Sequence, residues 1–206
     1  LSINGGGFSI STPAFNYPNV TGGVLMMRVK GTLDLGTFAS ISALGFAGGA
    51  QSAGNAFTGD GNIGSSLNGG VQNGAVYGNA GSATNVGTMA AGGGGGGGSG
   101  GVGGANGIPN GGASEGIAVS CNGGSSSDCV FLGGGGGSDI NGGSVGGSGG
   151  GIVIISATTV SAQASASLSA NAGNAAGSDA GGGGAGTIIL NAKNISSAPA
   201  LTANGS

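Results

Sequence analysis

The side chains able to do chemistry in this chain are few enough to name. Two cysteines, Cys121 and Cys129, stand in "SCNGGSSSDCVF". The acids are Asp34, Asp60, Glu115, Asp128, Asp139 and Asp179, the bases are Arg28, Lys30 and Lys193, and there is no histidine. The cysteine spacing is too wide for a C-x-x-C redox pair, and no further Cys or His completes a zinc site. A local disulfide closing a small loop is the expected state, with two separately buried thiols as the alternative. A disulfide implies an oxidising, extracellular or cell-surface setting. Without histidine there is no Ser-His-Asp triad. A carboxylate pair for glycoside hydrolysis would have to come from scattered acids in polar turns. The chain is therefore expected not to be an enzyme and to need no cofactor.

The remaining charges suggest little chemistry. Arg28 and Lys30 alternate along one strand with Asp34 after them, which reads as a solvated face with a weak ion pair. Asp139 in "GSDING" and Asp179 in "GSDAGG" sit beside glycine tracts, as in calcium-binding nonapeptides, but that consensus is not repeated in register. No metal is assigned. A formal charge of −3 without a basic run gives no footing for nucleic acid. No apolar run approaches the length a membrane-spanning helix needs. "GGGGGSDING" lacks a Walker lysine, and "GGSGGGIVII" places glycine before a strand, so neither is a nucleotide-binding loop. Asn19, Asn194 and Asn204 head Asn-X-Ser/Thr triplets, which matter if the source glycosylates asparagine.

What must hold these residues is a chain of 206 residues with 57 Gly, no Trp and nine charges. The absence of a G-X-Y period excludes collagen. Disordered chains are charge-rich and poor in β-branched residues, whereas this one has dense Ile/Val runs and almost no charge. Such a chain escapes aggregation by folding or by ordered assembly. It opens on Leu1 without a visible signal peptide and reads as a processed or trimmed chain.

Three segments share one grammar: 24–49, 151–177 and 186–206. Each opens with an apolar run (Leu25–Val29, Ile152–Ile155, Ile188–Leu190). Each then carries a lone aliphatic (Leu33, Val160, Ile195) and closes on an aliphatic, Ser or Thr, and Ala. Strand-forming residues alternate in Leu25/Met27/Val29 and Leu33/Leu35, and no helical period is sustained. Internal repeats of this size signal stacked rungs. The expected fold is all-β: a single glycine-rich β-solenoid, or parallel β-helix-like domain, over residues 1–206, with a glycine-rich insert at 90–150. The glycine tracts 90–112, 132–151 and 180–186 would be either flexible linkers or polyglycine II helices packed side by side. Packing is favoured because a lone polyglycine II strand has no internal hydrogen bonds, and several tracts are present. Gly92 to Gly98 would span roughly 22 Å in that form.

"LSINGGG" at the start looks like a closing strand whose first half is missing, and "LTANGS" like such a strand in full. Leu1, Ser2 and Ile3 on one side and Leu201, Thr202 and Ala203 on the other are therefore the expected subunit junction, since an unpaired β edge templates another chain. Phe8, Phe15, Tyr17 and Val20 form the expected apolar cap or docking anchor.

The stretches "GGGIVIISATTVSAQASASLSANAGNAAG" and "GGGGAGTIILNAKNISSAPALTANGS" resemble the glycine-rich repeat regions of large bacterial surface proteins. There a Gly run leads into a short hydrophobic strand and then an I-S-A-N-G-G phrase. That resemblance implies a parallel β-helix-like fold on a secreted or surface structure with adhesive or structural duty. By composition alone, the tracts are also similar to polyglycine bundles at the receptor-binding tips of some phage tail fibres. The resulting expectation is an extracellular structural protein whose partners are other copies of itself, forming a filament or surface layer. The alternatives are an adhesin whose loop 107–128 contacts a cell-surface ligand, and an ice-binding protein, for which regular Thr-x-Thr ranks are missing.

Overall fold

The computed structural model describes residues 1–3, 7–15, 21–48, 130, 132–135, 145–176 and 182–206. Among them are eight strands and no helix: β1 (Ser2–Ile3), β2 (Ser9–Thr12), β3 (Val24–Leu35), β4 (Ser40–Ala43), β5 (Ile152–Ala162), β6 (Ser167–Ser169), β7 (Thr187–Ile195) and β8 (Ala200–Thr202). Odd strands form one sheet in the order β1-β3-β5-β7, and even strands a second in the order β2-β4-β6-β8. Every pairing between these strands is parallel. The chain thus deposits one strand in each sheet, alternately, and both sheets grow in the same direction.

The repeats set the register. Leu25, Val153 and Ile188 form one ladder, and Met27, Ile155 and Leu190 the next. The lone aliphatics Leu33, Val160 and Ile195 stack on one another, as do Ile41, Leu168 and Leu201 in the second sheet. These ladders face inward and build one core shared by both sheets, in which Leu33, Leu35, Ile41, Val153, Ile155, Val160 and Leu168 are fully buried. Each such side chain contributes about 1.5–3 kcal/mol relative to exposure. A one-residue slip would turn a whole strand's aliphatics outward, so the register is strongly specified.

The passage between the sheets is a short corner repeated in kind. Gly7, Phe38 and Ser165 all have positive φ (80°, 58° and 72°), each two residues before its second-sheet strand. Ala39 N donates to Gly36 O, and Ala166 N to Gln163 O, closing four-residue turns with the positive φ at the third position. Hydrogen bonds also link corner to corner: Ser40 N donates to Phe8 O, Ser167 N to Ala39 O and Ala200 N to Ala166 O.

This corner corrects the reading of the first residues. Leu1–Ile3 is not a closing strand. Ser2 and Ile3 pair with Asp34 and Leu35 at the end of a first-sheet strand, and the corner at Gly7 follows. The closing strand of that rung is "SIST", Ser9–Thr12, whose Ile10 sits beside Ile41. Both stretches read aliphatic-Ser-aliphatic or its inverse, so local pattern alone misassigned them.

In the first sheet, the run of pairs breaks between Val29 and Thr32. Two residues, Lys30 and Gly31, lie opposite the single Thr158, which makes a β-bulge, and Gly31 takes a φ of 130° there. The opposing β5–β7 pairs run through without a shift, placing Thr158 across from Lys193.

Candidate functional site

Three kinds of surface on this stack differ from an ordinary protein exterior: its two ends, its two outer sheet faces and its glycine side. At either end of the described sheets the last inward-facing side chains are exposed. Leu33 and Val160 are fully buried, but Ile195, the last member of their ladder, is 49% exposed. Ile41 and Leu168 are fully buried, but Leu201 is 53% exposed. At the opposite end Leu1 is 63% and Phe8 48% exposed. Together with Ser2, Ile3 and Ile10 they line an open cavity of about 190 Å³.

Of the residues expected at a junction, Leu1, Ser2 and Ile3 lie at one end of the stack and Leu201 and Thr202 at the other, with Ala203 just beyond β8. They belong to different sheets, however. β1 opens the first sheet and β8 closes the second, so continuing each sheet sets β1 against β7 and β2 against β8. Sequence reading missed Ile10 and Ile195 as end residues, although Ile195 was already placed in its ladder. Phe8 is exposed at the first end, but Phe15 is not with it. Phe15 bridges to Phe46 and packs edge-on against it, with ring centroids 5.2 Å apart at 82°. Phe46, overlooked in "ISALGFAGG", is the largest fully buried side chain among the described residues. Tyr17, Val20, Cys121 and Cys129 lie outside the described residues, as do loop 107–128 and the tract 90–112.

The outer face of the second sheet is nearly all hydroxyl. Ser9, Ser40 and Ser167 stack in one rank ending at Ala200, and Ser11, Ser42 and Ser169 in another ending at Thr202. Neighbouring rungs are about 4.8 Å apart, and the two ranks are separated by two residues along each strand, about 6.6 Å. The outer face of the first sheet is different. Its leading half carries Val24 beside Ile152, and Met26 beside Ile154 and Ile189. Its middle carries Arg28, Lys30 and Lys193, all exposed.

On the glycine side the backbone itself does the packing. The segment 148–151 bonds to four others: Gly149 N donates to Phe46 O, Gly150 N to Gly184 O, Gly133 N to Gly150 O, and Gly173 N to Ser148 O, each at 2.8 Å. A strand in a flat sheet bonds two neighbours. Bonding in this many directions requires backbones to approach where a Cβ would otherwise stand. A methyl on Gly149 would run into the carbonyl of Gly133, and one on Gly150 into that of Ala170. The side closes with Ser206, whose hydroxyl accepts from Gly183 N at 2.8 Å and donates to Gly173 O at 2.9 Å. Asn171 tethers the last rung: its amide nitrogen donates to Thr202 Oγ1, and its oxygen accepts from Asn204 N.

Among the described residues no group of His, Cys, Asp or Glu could hold a metal ion, and no helix is long and apolar enough to cross a membrane. Asp34 is the one acid among them, and it accepts from the Ser2 hydroxyl at 3.2 Å. Asp139 and Asp179 lie outside the described residues. No protein-family model, curated protein or solved structure matches the chain.

Proposed function

We propose that the chain is an extracellular structural protein that winds as a glycine-rich β-solenoid and assembles end to end into a filament or surface layer. The observation carrying this reading is the pair of unfinished ladders: aliphatics buried within the stack are half exposed at its ends. A second copy added along the sheet order brings its Ile195 toward Leu1 and its Leu201 toward Ile10. Each sheet then gains one parallel pairing, and the ladders continue. The contact is heterologous, head to tail, and it repeats by translation along the stack, so it leads to open fibres and not to rings. Strict alternation of strands between the sheets, and the recurring corner, support the solenoid winding. Bonds from one glycine segment to four neighbours support packing of the polyglycine II kind.

Sedimentation velocity and negative-stain electron microscopy of the intact chain test the reading, alongside an Ile195→Lys/Leu201→Lys variant. Both sites are half exposed, so this variant should fold, with an unchanged circular dichroism spectrum, but remain a single chain. The parent should form long fibres. Single chains at every concentration for the parent, or fibres unaffected by the two lysines, would contradict the proposal.

A second reading is favoured by the hydroxyl ranks. Serine stacked in two parallel lines offers a periodic array of donors and acceptors of the kind that orders water, as an ice-binding face would. Freezing-point hysteresis of the chain, absent in a Ser42→Lys variant, would support it, and no hysteresis in the parent would remove it.

A further inference from the structure

We propose that the outer face of the first sheet is a docking surface for an anionic lipid membrane. The observation is a gathering of cations beside apolar area that the linear sequence hides, with Asp34 farther along β3 on the same face. All three cations of the chain, Arg28, Lys30 and Lys193, lie on this face, and all are exposed. The described residues hold these three bases against the single acid Asp34, a formal +2. The other five acids, and no base, fall in the rest of the chain, which makes the whole protein −3.

The bulge gathers the cations. Lys30 on β3 and Lys193 on β7 flank Thr158 on β5, so the two lysines rise from strands about 9.5 Å apart with a hydroxyl-bearing residue between them. Arg28, two residues back along β3, sits in the ladder of Ser156 and Asn191. Arg28, Lys30, Ser156 and Thr158 open on a shallow cavity of about 450 Å³, wide enough for a phosphate group to be approached from several sides. The donors here are cations, hydroxyls and amides, which suits an anion.

Beside them the same face turns apolar. Val24, Met26, Ile152, Ile154 and Ile189 occupy two adjacent ladders over three strands. Met26 is 73% exposed, the most of any large apolar residue described. Parallel sheets generally have both faces covered, and here the inner face is covered by the core while no described strand or loop buries Val24 and Met26 on the outer one. An aliphatic patch bordered by Lys and Arg matches a lipid interface, in which apolar side chains enter the acyl boundary and cations meet the headgroups. Charge complementarity selects this occupant. A second copy meeting face to face would set cations in the same chemical environment as cations, and a neutral protein surface would leave them unpaired.

Co-sedimentation of the intact chain with vesicles of phosphatidylcholine alone, and with vesicles doped with phosphatidylglycerol, tests the proposal. Binding to the doped vesicles only is expected, falling as salt is raised because exposed charges are screened beyond about 10 Å at 0.1 M ionic strength. Lys30→Gln and Lys193→Gln should each weaken binding about fivefold. Met26→Ser should weaken it without changing its salt dependence. All three positions are exposed, so the variants keep the fold, which circular dichroism checks. Equal binding to both vesicle types, no binding to either, or undiminished binding by the double lysine variant would overturn the proposal. So would full competition by inorganic phosphate, which would mark a small-anion site.

Discussion

The strand stack and the glycine side are two ways of holding the same parallel rungs together, and they fail differently. In the stack, aliphatic ladders such as Ile41-Leu168-Leu201 fill the space between the sheets, and backbone bonds run along one direction only. On the glycine side the volume is filled by backbone, with bonds running from one segment to several. Side-chain packing tolerates a change of shape by leaving a cavity. Backbone packing has no slack to absorb even a methyl group. The first is vulnerable to making residues smaller, and the second to making them larger.

That contrast can be tested most severely at Leu168. Leu168→Ala removes a fully buried ladder member that stands between Ile41 and Leu201, and should cost about 2–5 kcal/mol in chemical denaturation. If it costs less than Leu201→Ala, in the same ladder but half exposed, the account of the core is broken. The reverse experiment is Gly149→Ala. In most structures glycine to alanine is mild or stabilising, but here the new Cβ meets the carbonyl of Gly133, and a loss of about 1–3 kcal/mol is expected. A neutral result would mean that the glycine side is loosely packed.

The corners give a smaller and opposite effect. Phe38 holds φ at 58° with an exposed ring, and Ser165 holds 72°. Left-handed backbone costs a non-glycine residue about 1–2 kcal/mol. Part of that is returned by the greater freedom of glycine in the unfolded chain, so Phe38→Gly should raise stability by under about 1 kcal/mol. The smallest effect should come from Thr12, whose hydroxyl is buried without a partner. Thr12→Val removes that unsatisfied group and should be neutral to stabilising by about 1 kcal/mol in the melting curve. A clear loss would mean that the hydroxyl is bonded in solution.

How much of this was readable beforehand depends on the kind of signal. The ladders were readable because they repeat. Leu33, Val160 and Ile195 occupy the same place in each phrase, and burial requires the same face each time. The glycine tracts were readable as candidates for packing, since composition marks them, but not which segment bonds which, because glycine carries no side-chain identity. Leu1–Ile3 was misplaced because three residues fit both the end of a first-sheet strand and a closing strand. Only the corner at Gly7, matched to Phe38 and Ser165, distinguishes them, and those three residues share a backbone angle rather than a chemistry. The gathering of Arg28, Lys30 and Lys193 on one face was hidden for a different reason. It depends on pairing β3 to β7 through β5, across more than 150 residues of sequence. The serine ranks were overlooked because a search for threonine passes over "SIST", "SISA" and "SLS".

The central claim is that copies continue the stack. Each copy contributes four rungs to both sheets, so a filament built this way should advance by roughly 19 Å per subunit along its axis. Electron cryomicroscopy of the assembled protein measures that rise directly. A rise near this value, with the strands perpendicular to the fibre axis, is the predicted result. Discrete particles, or fibres whose subunit rise is not close to four strand spacings, would contradict end-to-end continuation of the sheets.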